Sequence, residues 1–491
     1  MESGNDTELQ KSWELSQDDI KDQDRISSLP DDIMFHVLSL LEMKDVVKTG
    51  VLSRRWGHLW TNVRTLDFRG PTSCEEEARE KFVSFVDYTL LFNESKTIKT
   101  FHLLLGLTEA FPEDISEEEA KRVKELCLHI DRWVRLAVRK KVEIVYLDFF
   151  TVNTRWRGCL LSLYPYNLPC SLYINNTIKS LLLASCSIDP TRQLQWKYLK
   201  VLRLFDVKLC EELVETILNG SPLLESLHLL RCNGLRKLSI KSPNLEYLLL
   251  FFSVEGLRLD IQAPYLKVLE CMGEIANYRL IDVSSLVYAI VRTHRITCNV
   301  SYQTIVTSFL TSVRRAECLA VCTRFLEMVS LLEIESLPTP STDCNYLELK
   351  ANLTKWELPG ILALLRSSSN LNTLTIKKGD RDGSIEFRDE YLKGYDLNEA
   401  NYWSIMLAST CLMEKLKSVI IYEFDGGSSE IALVEFLLMK APILDKMVIY
   451  SKKEKHSSED RTPSASNDKS TLYEKLLSFE RASPNGNFLF F

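Results

Sequence analysis

Cys318 and Cys322, four residues apart, are the nearest this chain comes to a metal pair. Tetrahedral zinc needs four ligands. No second cysteine pair or histidine stands at zinc spacing, so these residues read as two buried thiols one helical turn apart. A second candidate is KGDRDGSIEFRD, Lys378 to Asp389, in which Asp380, Asp382, Gly383 and Ile385 fall at the spacing of a calcium loop. Lys378 takes the first ligand position, however, and Asp389 the place of the bidentate glutamate, and a strand rather than a helix precedes them. The segment reads as a charged loop. The sequence contains no GxxxxGK[ST] phosphate loop, no GxSxG turn, no GxGxxG after a strand and no HExxH, and its seven histidines are dispersed. No catalytic residue, metal or cofactor is assigned, and the chain is read as a non-enzyme.

The informative stretch is instead DRISSLPDDIMFHVLSLLEMKDVVKTGVLSRRWGHLW, Asp24 to Trp60. Ser28 can cap a helix that Pro30 enters without losing a hydrogen bond. Asp31 and Asp32 suit the positive end of its dipole. Ile33, Val37, Leu40 and Leu41 fall on one helical face. Met43-Lys44-Asp45 breaks the pattern, Val46 and Val47 begin a second short helix, and Val51 to Trp56 opens a third that runs to Leu59 and Trp60. A unit this small buries little surface and carries more large apolar groups than it can hide. The excess points either to a surface completed by a partner or to a helical corner packed on the rest of the chain.

LPDDIMFHVLSLLEMKDVVKTGVLSRRWGHLW resembles an F-box in the form common in plant proteins: a Leu-Pro start, an apolar helix, an Asp-Val-Val helix, then Val-Leu-Ser-Arg-Arg-Trp and a second Trp. The resemblance implies binding to a Skp-type adaptor, and through it to the cullin and RING subunits of a ubiquitin ligase. Carried over position by position, the adaptor face comprises Leu29, Pro30, Ile33, Val37, Leu41, Val51, Trp56 and Trp60. Tryptophan ringed by aliphatic groups is a frequent hot-spot composition. Some of these residues must also hold the three helices together.

Length allows several domains or one long repeat array: the chain has 491 residues, 45% hydrophobic and 26% charged. A net charge of −7 does not suggest nucleic acid, which usually needs a basic face. Thirteen scattered cysteines and no signal peptide read as reduced thiols in the cytoplasm or nucleus, not a secreted protein. No apolar run reaches the length of a membrane span.

Residues 1–23 are polar and acidic and read as a disordered tail. Strands are predicted over Val63–Phe68, Ile98–Leu105 and Val142–Phe149, and a helix over Glu75–Phe92. Another helix opens at the capping box Ser116 to Glu119 and ends at Arg139-Lys140-Lys141. A repeat then decides the fold. SPLLESLHL from Ser221, SPNLEYLLL from Ser242 and APYLKVLEC from Ala263 align at a constant offset of 21 residues. The form returns at Ala441, with looser copies at Ile178, Leu199, Leu371 and Leu416. In L-x-x-L-x-L the last two apolar residues share one strand face. One unit cannot bury that face alone, so units stack into a parallel sheet. The pattern resembles an irregular leucine-rich repeat, with Cys186 and Cys232 at the place of the usual post-strand asparagine or cysteine and with helices such as Glu211–Leu218 inserted. A curved, uneven solenoid is expected.

LKSVIIYEFDG, a helix from Ser429 to Lys440 with Ile431, Val434, Leu437 and Leu438 inward, and a strand from Lys446 to Tyr450 resemble the FBD domain of plant F-box proteins. The fold class expected is α/β: a three-helix F-box at 24–64, an irregular leucine-rich-repeat solenoid over 65–409, and an FBD section at 410–491 with a polar insertion at 452–470. The family implies the substrate-recognition subunit of an SCF-type ubiquitin ligase, with no nucleic acid or membrane partner. The alternatives are a hormone-like small-molecule receptor and a ligase-independent scaffold. Outward strand residues Glu225, Ser226, His228, Glu246, Tyr247, Lys267 and Glu270 are candidates to touch the target protein, because they alternate with the leucines.

Overall fold

Large apolar side chains at alternate strand positions build this fold. The computed structural model describes residues 26, 28–71, 76–105, 117–149, 165–293, 301–379, 394–395, 399–408, 413–452, 472–484 and 486–491. The acidic segment 1–23, Ser116, the charged loop beyond Gly379 and the insertion beyond Lys452 lie outside the described residues. The chain divides into two units, Met1–Ser187 and Ile188–Phe491.

The first unit opens with α1 (Asp31–Leu38), α2 (Met43–Lys48) and α3 (Arg54–Leu59), the last preceded by a 3-10 turn over Thr49–Val51. Pro30, not Ser28, occupies the N-cap of α1, at φ −58° and ψ 147°. Its fixed φ suits the entry, and it has no amide to leave unpaired. Asp31 and Asp32 fill the first turn as expected. Met43 begins α2 rather than breaking the pattern, because it is buried with Val46 and anchors the helix start. Ser53 caps α3 by accepting the Trp56 amide at 3.4 Å.

Then come β1 (Thr65–Arg69), α4 (Glu76–Phe92), β2 (Thr100–Leu104), α5 (Glu117–Arg139), β3 (Ile144–Asp148), β4 (Tyr166–Asn167), α6 (Cys170–Tyr173), β5 (Ser180–Ala184) and β6 (Cys186–Ser187). β1, β2, β3 and β5 pair in parallel in that order, and β4 pairs β6. Parallel neighbours need a crossover, which α4 and α5 supply between the first three. α4 buries Phe82, Val86 and Leu90; α5 buries Val123, Leu126, Ile130, Trp133, Val134 and Ala137. The Trp133 indole donates to Asp87 Oδ1 at 2.6 Å, so its one polar group is satisfied.

The second unit runs β7 (Val201–Phe205), α7 (Glu211–Gly220), β8 (Ser226–Leu230), β9 (Lys237–Lys241), β10 (Tyr247–Gln262), β11 (Val268–Ile281), β12 (Tyr288–Arg292), α8 (Tyr302–Ser312) and β13 (Cys318–Val321). It continues α9 (Thr323–Ile334), β14 (Tyr346–Ala351), α10 (Leu358–Ser367), β15 (Thr373–Lys378), α11 (Glu399–Ala408), β16 (Ser418–Phe424), α12 (Ser428–Lys440), β17 (Lys446–Ser451) and β18 (Asn487–Phe490). The strands pair in parallel in sequence order, except that β9 attaches to the far part of β10. The 21-residue offset becomes a register: Ser226 stands opposite Tyr247, and Tyr247 opposite Val268. Leu227, Leu248 and Leu269 form one buried file, and Leu229, Leu250 and Cys271 the next. Each buried leucine contributes about 1.5–3 kcal/mol relative to exposure.

Several details depart from expectation. Cys318 lies on β13 and Cys322 caps α9, so the two thiols are not a helical turn apart, and Cys318 is only half-buried. The alternation that sends Leu319 and Val321 inward turns Cys318 the other way. In α12 Leu433 and Phe436 are buried with Val434, Leu437 and Leu438, while Ile431 is half-exposed, because the helix turns Phe436 toward Trp403, ring centroids 6.1 Å apart. β18 adds a strand after the predicted strand–helix–strand set. β10 and β11 also run on past the ordinary repeat strand. Gly273 permits this: at φ +93° it sits opposite Phe252, and a Cβ there would lie 1.8 Å from the Phe252 carbonyl oxygen. The register shifts just beyond this pair.

Candidate functional site

Two surfaces stand out. The first is the outer face of α1 to α3. Met34 and Leu38 turn inward from α1, which leaves Ile33 (47% exposed), Val37 and Leu40 outside. Val51 (88% exposed) and Leu52 follow on the turn before α3. Of the eight residues singled out from the sequence, Pro30, Ile33, Val37 and Val51 are exposed, Leu29, Leu41 and Trp60 are half-buried, and Trp56 (3% exposed) is inside. Trp60 stacks on Tyr88 of α4, centroids 6.3 Å apart. Ile26, Leu40 and Leu52, absent from that set, are exposed apolar groups too. Leu40 could have been included, because it falls on the same helical face as Ile33.

Charge holds this face in place. Asp31 pairs with Arg55, joining the start of α1 to α3. Arg69 of β1 reaches Glu42 at 3.1 Å and Asp67 at 3.0 Å, and His102 of β2 meets Asp67 at 2.9 Å. Burial works against the Asp67 charge, but the hydrogen bonds from His102 and Arg69 outweigh it and hold the carboxyl below its ordinary range. The turn before α2 is thereby tied to the first strands.

The second surface is the outward face of β7 to β12. Ser226 Oγ lies 2.9 Å from His228 Nε2, and the His228 ring stacks on Tyr247 with centroids 5.0 Å apart. The Tyr247 hydroxyl donates to Glu270 Oε2 at 3.2 Å, and Arg292 approaches Glu270 Oε1 at 3.5 Å. Burial, and then the neighbouring Arg203, push the His228 imidazole down to about 4, so it is neutral at physiological pH. Four of the seven predicted residues therefore form one connected row, although Glu270 within it is nearly buried. The others sit at strand entries as ion pairs: Glu225 with Lys200 at 2.7 Å and Glu246 with Lys267 at 2.9 Å. Arg203 and Arg292 were missed. Arg203 is in register with His228, and the alternation that selected His228 also selects it.

Among the described cysteines, Cys186, Cys232, Cys271, Cys322 and Cys344 are buried. Cys232 Sγ lies 3.6 Å from the carbonyls of Leu204 and Leu230, bridging successive strand ends, and burial pushes it up to about 12. Among the described residues no group of three or more histidine, cysteine or carboxylate side chains is placed to hold a metal. No helix among them is long and apolar enough to cross a membrane.

Comparison with known proteins gives two family matches. Residues 26–68 match the F-box domain family, and residues 114–482 match the family described as At1g61320/AtMIF1, LRR domain. An Arabidopsis thaliana protein named as an F-box protein is 30% identical over 387 residues, 76% of this chain and 89% of its own. An Arabidopsis thaliana F-box/LRR-repeat protein is 29% identical over 411 residues, 79% of this chain and 78% of its own. A third, named as FBD-associated, is 34% identical over 230 residues, 46% of this chain and 47% of its own.

Proposed function

The chain belongs to the F-box/LRR-repeat family, and from that premise we propose that it is the substrate-recognition subunit of an SCF-type ubiquitin ligase. The apolar face of α1 to α3 docks a Skp-type adaptor, which brings the cullin and RING subunits. The observation that carries this reading is the exposure of Ile33, Val37, Leu40, Val51 and Leu52 within so small a helical unit. Such groups cost free energy in water and gain it back when a partner covers them.

The outward row around His228 and Tyr247 meets a target protein, and the ligase supplies all the chemistry. The chain itself acts by placement: it holds the target's lysines near the ligase's catalytic subunits. Its domains on this reading are the F-box at 24–64, repeats over 65–409 and an FBD section at 410–491, working in the cytoplasm or nucleus. Co-purification with a plant Skp-type adaptor tests the proposal. A stable one-to-one complex that Ile33→Asp with Val51→Asp dissolves supports it. Absence of any complex, with the chain folded, moves the ligase-independent scaffold ahead.

A further inference from the structure

The short ladder of β9, the far part of β10 and the end of β11 buries one face and charges the other. Leu238, Ile240, Leu257, Leu259 and Ile261 point inward. Between them Lys237, Lys241 and Arg258 are exposed, as are Arg236 just before β9 and Arg279 on β11. Lys237 stands directly opposite Arg258, and Arg279 opposite Asp260. Asp260 is the one carboxylate of the described residues in an ion pair with any of these five cations, 3.8 Å from Arg279.

This arrangement costs the isolated chain. Neighbouring strands lie roughly 4.8 Å apart, and like charges directly opposite one another destabilise a sheet. Lysines on an edge strand guard against stray pairing, which accounts for Lys237 and Lys241 on β9. It does not account for Arg258, on the middle strand, where there is no edge to guard. The local surplus of positive charge also runs against the chain's net charge of −7.

We propose that this face binds a carboxylate-rich polypeptide segment of a partner protein. Such a segment relieves the Lys237–Arg258 repulsion and is short enough to meet the cations alone. Charges are screened beyond about 8 Å at physiological salt, so the patch acts locally. A long polyanion would run off the patch along a chain whose net charge is −7. Nor do the described outward positions of this ladder offer an aromatic platform for bases, since Tyr278 is buried. The proposal does not rest on the ligase reading, and its test needs no adaptor.

The experiment is fluorescence anisotropy on the purified full-length chain with a labelled oligoglutamate, beside an oligolysine and a single-stranded oligonucleotide, at low and physiological salt. Oligoglutamate is expected to bind, more weakly as salt rises, and oligolysine is not. The variant Lys237→Glu with Arg258→Glu should weaken binding about tenfold or more, equivalent to about 1.4 kcal/mol. The neutral Lys237→Gln with Arg258→Gln, which keeps the ladder uncrowded should the reversal misfold, should fall between. Oligoglutamate that fails to bind at low salt, or that binds both variants as it binds wild type, overturns the proposal. Tighter binding of the oligonucleotide overturns it in favour of a nucleic-acid surface.

Discussion

Ile33 and Met34 are consecutive residues of α1 that meet opposite environments: Met34 is completely buried and Ile33 is 47% exposed. On the proposed reading, folding and docking are thereby divided between neighbours. Ile33→Asp should leave the denaturation midpoint unchanged while weakening adaptor binding about 30-fold or more, the loss of a hot spot of about 2 kcal/mol. Met34→Ala should instead destabilise the unit by about 2–5 kcal/mol through the cavity it leaves. Calorimetric titration with a Skp-type adaptor, beside urea unfolding, separates the two. Wild-type affinity for Ile33→Asp would sink the docking face.

Trp56 acts from within. Its ring is buried, and its amide is held by the Ser53 cap. Trp56→Ala should cost about 3–5 kcal/mol of stability. Any loss of adaptor binding should then appear together with a lowered melting temperature. Lost binding with an unchanged melting temperature would show that the ring touches the adaptor directly.

The thiols should react in order of burial. Cys170 is exposed, whereas Cys186, Cys232 and Cys271 are buried, and burial holds all three thiols well above their ordinary range. With iodoacetamide at mildly alkaline pH, mass spectrometry should find Cys170 alkylated first and the other three protected until denaturant is added. Early labelling of Cys232 would mean that the strand ends it bridges open readily.

His228 should make the second unit sensitive to mild acid. Its folded value of about 4 lies below the ordinary 6.5, so the unfolded chain binds the proton more readily between the two. Stability contributed by the neutral ring is fully present above 6.5 and drains as pH falls toward 4. His228→Gln should flatten the fall in urea midpoint between pH 6.5 and 4.5 relative to wild type. Asp67, held below the ordinary carboxylate range, loses its contribution only at lower pH, outside that window. Parallel slopes for wild type and variant would refute the assignment.

The F-box pattern and the 21-residue offset were both legible because each needs only local information: residue type and spacing along the chain. Ser221, Ser242 and Ala263 head segments whose strands do pair in register. The start of α1 was misplaced by a local ambiguity, since Ser28 and Pro30 both suit a helix entrance. β9 was not anticipated, because Leu238 and Ile240 alone make too short an alternation to stand out.

The sequence by itself determined which side chains are apolar, how often they recur and therefore that strands stack in parallel, because alternation and repeat length are properties of the chain alone. Only the tertiary structure decided that Trp56 faces in while Val51 faces out. It likewise decided that His228 lies on Tyr247, and that Lys237 meets Arg258 across two strands. Burial and charge proximity depend on what packs on the other side of a residue, and those neighbours are distant in sequence.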